Sequence, residues 1–301
     1  MSHSKIYIGP AGWSYADWKG IFYPPKLPAS MTELSYLADF FNLVEINVTF
    51  YRIPAVKMVK RWLSQVNAIP DFRFVCKMFQ NFTHRSGSLS ATEINHFKTA
   101  IAPLQEAGRL LTLLIQFPWS FKNNPASRER LNQLIDSFSE FNLAVEIRHS
   151  SWNVPPFIQF LRDKQISFVN IDQPVIGKSL ELTNHQTTNL VYYRFHGRNY
   201  DNWFASEADQ RQRYDYLYSE TEQNSLMEII SRTLKSENVI IIVFNNHFRG
   251  QALANALQMK FYFEKQPQPV PETMLKAYPH LAAIKADAAV GENLDLFGNE
   301  M

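Results

Sequence analysis

Residues 190–196 read LVYYRFH, and residues 239–246 read VIIIVFNN. Each is a short run of β-branched and aromatic residues that stops on polar side chains. Six more such runs begin at Ile6, Leu43, Phe72, Leu110, Leu143 and Ser167. Neighbouring runs lie far enough apart to hold a crossover of about a dozen residues or more, which parallel strands require. Parallel strands buried on both faces read as near-continuous apolar runs, as these do. Eight strands alternating with helical stretches predict an α/β fold, and within it a (β/α)8 TIM-type barrel. Neither GxGxxG nor GxxxxGK[ST] occurs, which removes the main support for the glycine-loop nucleotide folds.

Helix start signals fill the gaps. Ser30 with Glu33 and Ser90 with Glu93 have capping-box spacing, and Gly108 is a stop for the second helix. Ser127 is expected to cap the helix through residues 130–141. Pro155 and Pro156 suit a first helical turn. Ser206 and Asp209 are expected to open a polar helical region reaching about Ser236. Residues 173–189 show no amphipathic helix, so the sixth connection is expected to be irregular. The barrel domain is placed at residues 1–264. A Pro-containing linker, QPQPVP at 266–271, and a C-terminal tail make up the appendage at 265–301.

Composition narrows the function classes. The chain has 301 residues, 46% hydrophobic and 19% charged, enough to build a large core and too few charges for a disordered chain. Lys+Arg is 30 against 28 for Asp+Glu, so no bulk basic field points to nucleic acid. Cys76 is the single cysteine, which excludes an intrachain disulfide and a cysteine-built zinc site. The opening MSHSKIYIGPAG lacks the basic and apolar regions of a secretory leader, and no apolar run approaches the about 20 residues of a membrane helix. A cytoplasmic location without membrane association is expected.

The chemistry gathers where the apolar runs end. Successive side chains of a strand alternate faces. Glu45 and Asn47 therefore share one face, opposite Val44 and Ile46. Glu146 and Arg148 share a face, and so do Arg194 and His196. The wholly apolar face belongs against the helices, which turns the polar pairs inward at the C-terminal mouth, where barrel enzymes place their active sites. Lys77, Gln116, Asp172, Asn245 and Asn246 end other strands. Charges repeated at one end of many strands fit one shared site better than scattered burial. Glu45 and Glu146 are expected as acid/base groups, with Asp172 and His196 completing the catalytic set. Lys77, Arg148 and Arg194 are expected to bind an anion, with arginine giving bidentate contacts. Asn47, Tyr51, Gln116, His149, Trp152, Asn245, Asn246 and Trp13 are the remaining candidates for substrate contact. No cofactor is expected. A divalent metal, held by some of His84, His149, His196 and His247, is the alternative, opposed by the neighbouring cations.

At these residues the chain resembles a known family. GWSYADWKGIFYPPKLP, VEINVTFYRIP, the THR at 83–85, VEIRHSSW, YYRFHGR and FNNHFRGQALANA are similar to motifs of the Domain of Unknown Function 72 family, across about residues 5–262. The resemblance implies a TIM-type barrel, sometimes irregular, and no agreed activity. The family pattern is matched at Gly12, Trp13, Glu45, Asn47, Phe50, Tyr51, Lys77, His84, Glu146, Arg148, His149, Trp152, Asp172, Arg194, His196, Gly197, Asn245, Asn246 and Asn255. It departs at Pro10-Ala11, where the family more often has Thr-Ser. Barrel enzymes such as endonuclease IV and xylose isomerase share the implied architecture, but the histidine-rich zinc set of the former does not map here.

The expected function is an enzyme, a hydrolase, lyase or isomerase, acting on a small anionic or sugar-like substrate by carboxylate acid/base chemistry. The alternative is a protein that binds or processes nucleic acid, with aromatics stacking on single-stranded bases. That alternative gains from the tail. Asn293-Leu294-Asp295-Leu296-Phe297 resembles the sliding-clamp-binding peptide, with Asn293 in place of its glutamine, and Leu294, Leu296 and Phe297 as apolar anchors.

Overall fold

The computed structural model describes residues 4–203 and 212–286. All eight expected runs are strands: β1 (Lys5–Pro10), β2 (Leu43–Ile46), β3 (Arg73–Lys77), β4 (Leu110–Gln116), β5 (Leu143–Glu146), β6 (Ser167–Asp172), β7 (Leu190–Phe195) and β8 (Val239–Phe244). They are parallel and run in the order β1-β8-β7-β6-β5-β4-β3-β2.

The gap between β1 and β2 is bridged by other means. The Asn42 side chain takes the place of a backbone rung, donating to Ile6 O (3.0 Å) and accepting from Ile8 N (2.9 Å). Nearer the strand ends, Gly12 N donates to Glu45 O at 2.8 Å. Gly9 allows the approach, because a Cβ there would lie 1.9 Å from Leu43 O. The result is a TIM-type (β/α)8 barrel.

The helices α1 (Glu33–Ala38), α2 (Val48–Tyr51), α3 (Val56–Gln65), α4 (Gln80–Thr83), α5 (Ala91–Glu106), α6 (Pro125–Ser137), α7 (Pro155–Asp163), α8 (Glu220–Ser231), α9 (Gln251–Glu264) and α10 (Glu272–Ala277) follow every strand except β6. Outward strand residues such as Val44, Ile46, Val191, Phe195 and Ile242 join α9 residues Leu253 and Leu257 in one core.

Some cap assignments shift. Ser90 does cap α5, and Gly108 turns left-handed (φ 64°) just beyond its end. The first capping box is Thr32 with Ser35, not Ser30 with Glu33, because a turn closed by Met31 N to Pro28 O delays the helix. Asn124, not Ser127, caps α6: its side chain accepts from Ser127 N at 3.0 Å, and Pro125 opens the first turn. Ser219 with Glu222 caps α8, while Ser206 and Asp209 lie outside the described residues.

The sixth connection is irregular, as expected. Residues 173–189 cover the outer face of β6 by hydrogen bonding instead of helix packing. Asn170 Oδ1 accepts from His185 N (2.7 Å) and from Thr183 Oγ1 (2.8 Å). Thr187 Oγ1 donates to Ile166 O (2.7 Å) and accepts from Phe168 N (2.8 Å).

Residues beyond α9 pack on the barrel. Val270, Met274, Leu281 and Ile284 are buried in the same core as Ile8 and Leu257. The clamp-like peptide at 293–297 lies outside the described residues. Among the described residues, no helix is long and apolar enough to cross a membrane.

Candidate active site

The inward alternation at the strand ends holds. Arg194, at the C-terminal end of β7, is 1% exposed and sits at the centre of the barrel's mouth. Its Nε and Nη2 form a fork to both oxygens of Glu45 on β2, at 2.8 and 2.7 Å. Its Nη1 reaches Glu146 Oε2 on β5 at 2.8 Å. Glu146 Oε1 in turn accepts from Arg148 Nε at 2.9 Å. Tyr192, two residues before Arg194 and on the same face, donates its hydroxyl to Glu45 Oε2 at 2.5 Å. Two carboxylates and two guanidiniums therefore form one alternating network. Each carboxylate is 0% exposed and saturated by donors. Such burial is tolerable only because every charge is paired and hydrogen-bonded.

His196 closes the network. Its Nδ1 faces Asn245 Nδ2 at 3.0 Å. Its Nε2 faces Glu146 Oε1 and Arg194 Nη1, each at 3.3 Å, and Arg148 Nη2 at 3.4 Å. Burial, with Arg148 beside it, pushes His196 down to about 3, so the ring is neutral. The pH consequence has a definite sign. A histidine whose folded pKa lies below its unfolded value near 6.5 leaves the unfolded chain binding more protons between those values. Stability therefore falls as pH drops from 6.5 towards 3, by about 3 kcal/mol at pH 4. Glu146, held well below the usual carboxylate range by Arg194, His196 and Arg148 against its own burial, adds loss of the same sign at lower pH. Urea unfolding at pH 7 and pH 4 should show a larger drop for the wild type than for a His196→Gln variant; equal drops would contradict the assignment.

Above this network opens a cavity of about 610 Å³, inside the range of small-molecule sites. Its floor and walls present Lys77, Arg148, Arg194, Gln116, Asn47 and Asn245, with Tyr15, Phe50, Tyr51, His84, Tyr214 and His247 around them. Among the described residues no carboxylate lines it. Glu45 and Glu146 lie behind the guanidiniums and hold them in place. Glu45 and Glu146, expected as acid/base groups, do not line the cavity, and all four of their oxygens accept hydrogen bonds.

Lys77 ends β3 with its ammonium 4.0 Å over the Phe50 ring. The β3 end is pinned by Thr49, whose hydroxyl donates to Lys77 O at 2.6 Å. Burial, with the Arg194 guanidinium beside it, pushes Lys77 down to about 7, against the pull of Glu146 and Glu45. Burial, then Lys77 and Arg148, push His84 down to about 4. Asn47 Oδ1 is buried and makes no hydrogen bond among the described residues, leaving an acceptor at the cavity wall. One wall is an aromatic stack, with His247 4.4 Å from Tyr15 and 5.0 Å from Tyr214, ring centre to ring centre.

Other expected residues fall elsewhere. Asp172 faces out of the barrel. Arg198 grips it with Nε (2.9 Å) and Nη2 (2.9 Å), and Tyr218 donates to it at 2.6 Å. It anchors the loop after β7 and is no part of the cavity. Asn246 also faces outward, donating to Tyr216 O and Asn255 Oδ1 on α9. His149 accepts from Ser151 N at 3.1 Å and caps a short 3-10 turn. Trp152 is buried, stacked on Phe121, beside a shallow apolar groove between α6 and α7. Trp13 packs edge-on against Trp62 in an adjoining cleft that shares Tyr15, Asn47 and Tyr51 with the main cavity.

Tyr192 and Arg198 were not anticipated. The alternation that turns Arg194 and His196 inward turns Tyr192 inward too, so its signal was present in LVYYRFH. Arg198 stands in a loop without periodicity and carries no such signal. Among the described residues no three histidine, cysteine or acidic side chains converge as metal ligands.

Comparison with known proteins agrees with this architecture. The family described as "Protein of unknown function DUF72" matches residues 7–279. UPF0759 protein YunF of Bacillus subtilis (strain 168) is 29% identical over 269 residues, covering 84% of this chain and 93% of YunF. A crystal structure of a DUF72 family protein from Thermotoga maritima MSB8 is 37% identical, with a TM-score of 0.76 over 86% of this chain and 99% of that one. Another, from Enterococcus faecalis V583, is 30% identical, with a TM-score of 0.75 over 86% and 95%. With its eight-stranded barrel and the family match across most of its length, the chain belongs to the DUF72 family of proteins of unknown function.

Proposed function

We propose that the mouth is an anion-binding active site for a small phosphate- or carboxylate-bearing substrate. The observation that carries this reading is the sign of the cavity. Lys77, Arg148 and Arg194 face it, and the carboxylates that neutralise the guanidiniums lie behind, out of reach of a ligand. The guanidiniums are already fixed by ion pairs, so little ordering entropy opposes binding. Asn47, Gln116 and Asn245 supply donors and acceptors for hydroxyls, and the aromatic wall suits a sugar or other flat apolar face. Proton transfer falls to Lys77, a cavity group that burial pushes down to about 7, where general acid–base catalysis is most efficient.

Calorimetric titration with inorganic phosphate tests this. Binding is expected, weakened at least about ten-fold by Arg148→Gln, the loss of one charge-assisted hydrogen bond. Arg148 is chosen because 14% of its side chain is exposed and its removal leaves Glu146 still paired to Arg194. An unchanged affinity would sink the reading.

A second reading, a single-stranded nucleic acid site, has one observation in its favour. Tyr51 (63% exposed), at the end of α2, and Tyr200 (53%), in the loop after β7, are exposed aromatics, and stacking on bases needs such surfaces. The same titration with a short oligonucleotide separates the two. Binding of the oligonucleotide that fades with salt, without phosphate binding, favours the second.

A further inference from the structure

We propose that Lys77 is an amine nucleophile, and that the substrate class is an anionic aldehyde or ketone, held by its anion on Arg148 and Arg194 and by its carbonyl at the Lys77 amine. The inference rests on the anion-site reading above and adds the reaction and the substrate class.

Three observations converge. First, Lys77 faces the cavity from the end of β3, on its floor beside the two guanidiniums. Second, no ion pair holds it among the described residues: the adjacent carboxylates, Glu45 and Glu146, are occupied by Arg194, Arg148, Tyr192 and His196. A lysine kept only for structure would be expected to take one of those oxygens. Third, burial and the Arg194 guanidinium oppose protonation, against the pull of the Phe50 face on an ammonium, an environment that favours a neutral, nucleophilic amine. Three nearby hydroxyl and thiol groups are poorer nucleophiles. The Tyr15 and Tyr51 phenols are raised above their ordinary values by burial, and Cys76 is buried on the opposite face of β3 with its thiol pushed up to about 12.

The chemistry balances without a further reactant. The neutral amine adds its lone pair to the carbonyl carbon, forming a C–N bond. One N–H proton passes to the carbonyl oxygen, giving a carbinolamine. The C–O bond then breaks, the oxygen leaves as water with the second N–H proton, and a C=N imine remains.

The test is reductive trapping on the whole protein. Glycolaldehyde phosphate and neutral glycolaldehyde are each incubated with the protein and sodium cyanoborohydride, which delivers hydride to the imine carbon and fixes a secondary amine. Adducts are located by peptide mass. One adduct is expected, on Lys77, at least ten-fold more abundant with the phosphate probe. Its yield should reach half-maximum near pH 7, where an ordinary surface lysine needs a pH above about 10. Lys77→Arg should remove it. Arg148→Gln should lower the phosphate-probe adduct on Lys77 to the level of the neutral probe. Adducts spread over surface lysines with Lys77 unlabelled, or equal labelling by both probes, would overturn the inference. The titration with inorganic phosphate separates the failures. If phosphate binds through Arg148 and Lys77 stays unlabelled, the anion site stands and the amine chemistry falls. If neither occurs, both fall.

Discussion

Replacing Arg194 with methionine should lower the unfolding free energy by about 3–5 kcal/mol, or abolish folding. The side chain is 1% exposed and donates three hydrogen bonds to two carboxylates that are themselves 0% exposed, and a fourth to Gln116 Oε1 at 3.4 Å. Methionine fills similar volume but leaves Glu45 with Tyr192 as its remaining donor among these groups. The cost comes from an uncompensated buried charge, since a whole ion pair replaced by apolar groups can be neutral. The double variant Arg194→Met/Glu45→Gln should therefore be more stable than Arg194→Met alone. Urea unfolding of the three proteins at one pH checks both statements. A loss under about 1 kcal/mol for the single variant, or no recovery in the double, would show that the network is not what holds the mouth together.

Gly9→Ala is expected to cost at least about 3 kcal/mol, the upper range for forcing volume into a packed interior. The new Cβ would stand 1.9 Å from Leu43 O and 2.7 Å from Leu43 C. Both are backbone atoms, so no rotamer change relieves the clash. β1 and β2 would have to part, and the rungs supplied by Asn42 and by Gly12 N would stretch with them. Gly108→Ala is the control. It has nothing within 4 Å and φ +64°, so it costs only the about 1–2 kcal/mol of a left-handed alanine. Thermal unfolding of the two variants should rank them in that order. Equal losses would mean that the seam between β1 and β2 yields easily.

Much of this was legible in the residues themselves. The eight apolar runs are local features, and burial on both faces makes a parallel strand visible without a partner. The period of two then placed Glu45, Glu146, Arg194 and His196 inward. The same reasoning failed at Asp172. Asn170 and Asp172 share a face of β6, and that face turned out to be the outer one. The sixth connection lacks a helix, so polar loop atoms and the Arg198 and Tyr218 side chains meet β6 there and make an outward polar pair affordable. Asn246 was misplaced for a related reason, because its outward partner Asn255 sits on a helix whose docking no local pattern reveals.

By itself, then, the sequence determined the strand count, the parallel α/β architecture, the end of the barrel that carries polar groups and the alternation that turns them inward. Those follow from short-range periodicity and hydrophobic burial. Only the tertiary structure decided which charges meet. Arg194 and Glu45 stand 149 positions apart, and Arg194 and Glu146 stand 48 apart. Their pairing depends on barrel closure and on the register between strands, neither of which is written in any one segment. That pairing makes the carboxylates counter-ions and leaves Lys77 and the guanidiniums facing the cavity, because in a desolvated interior each buried charge must be matched.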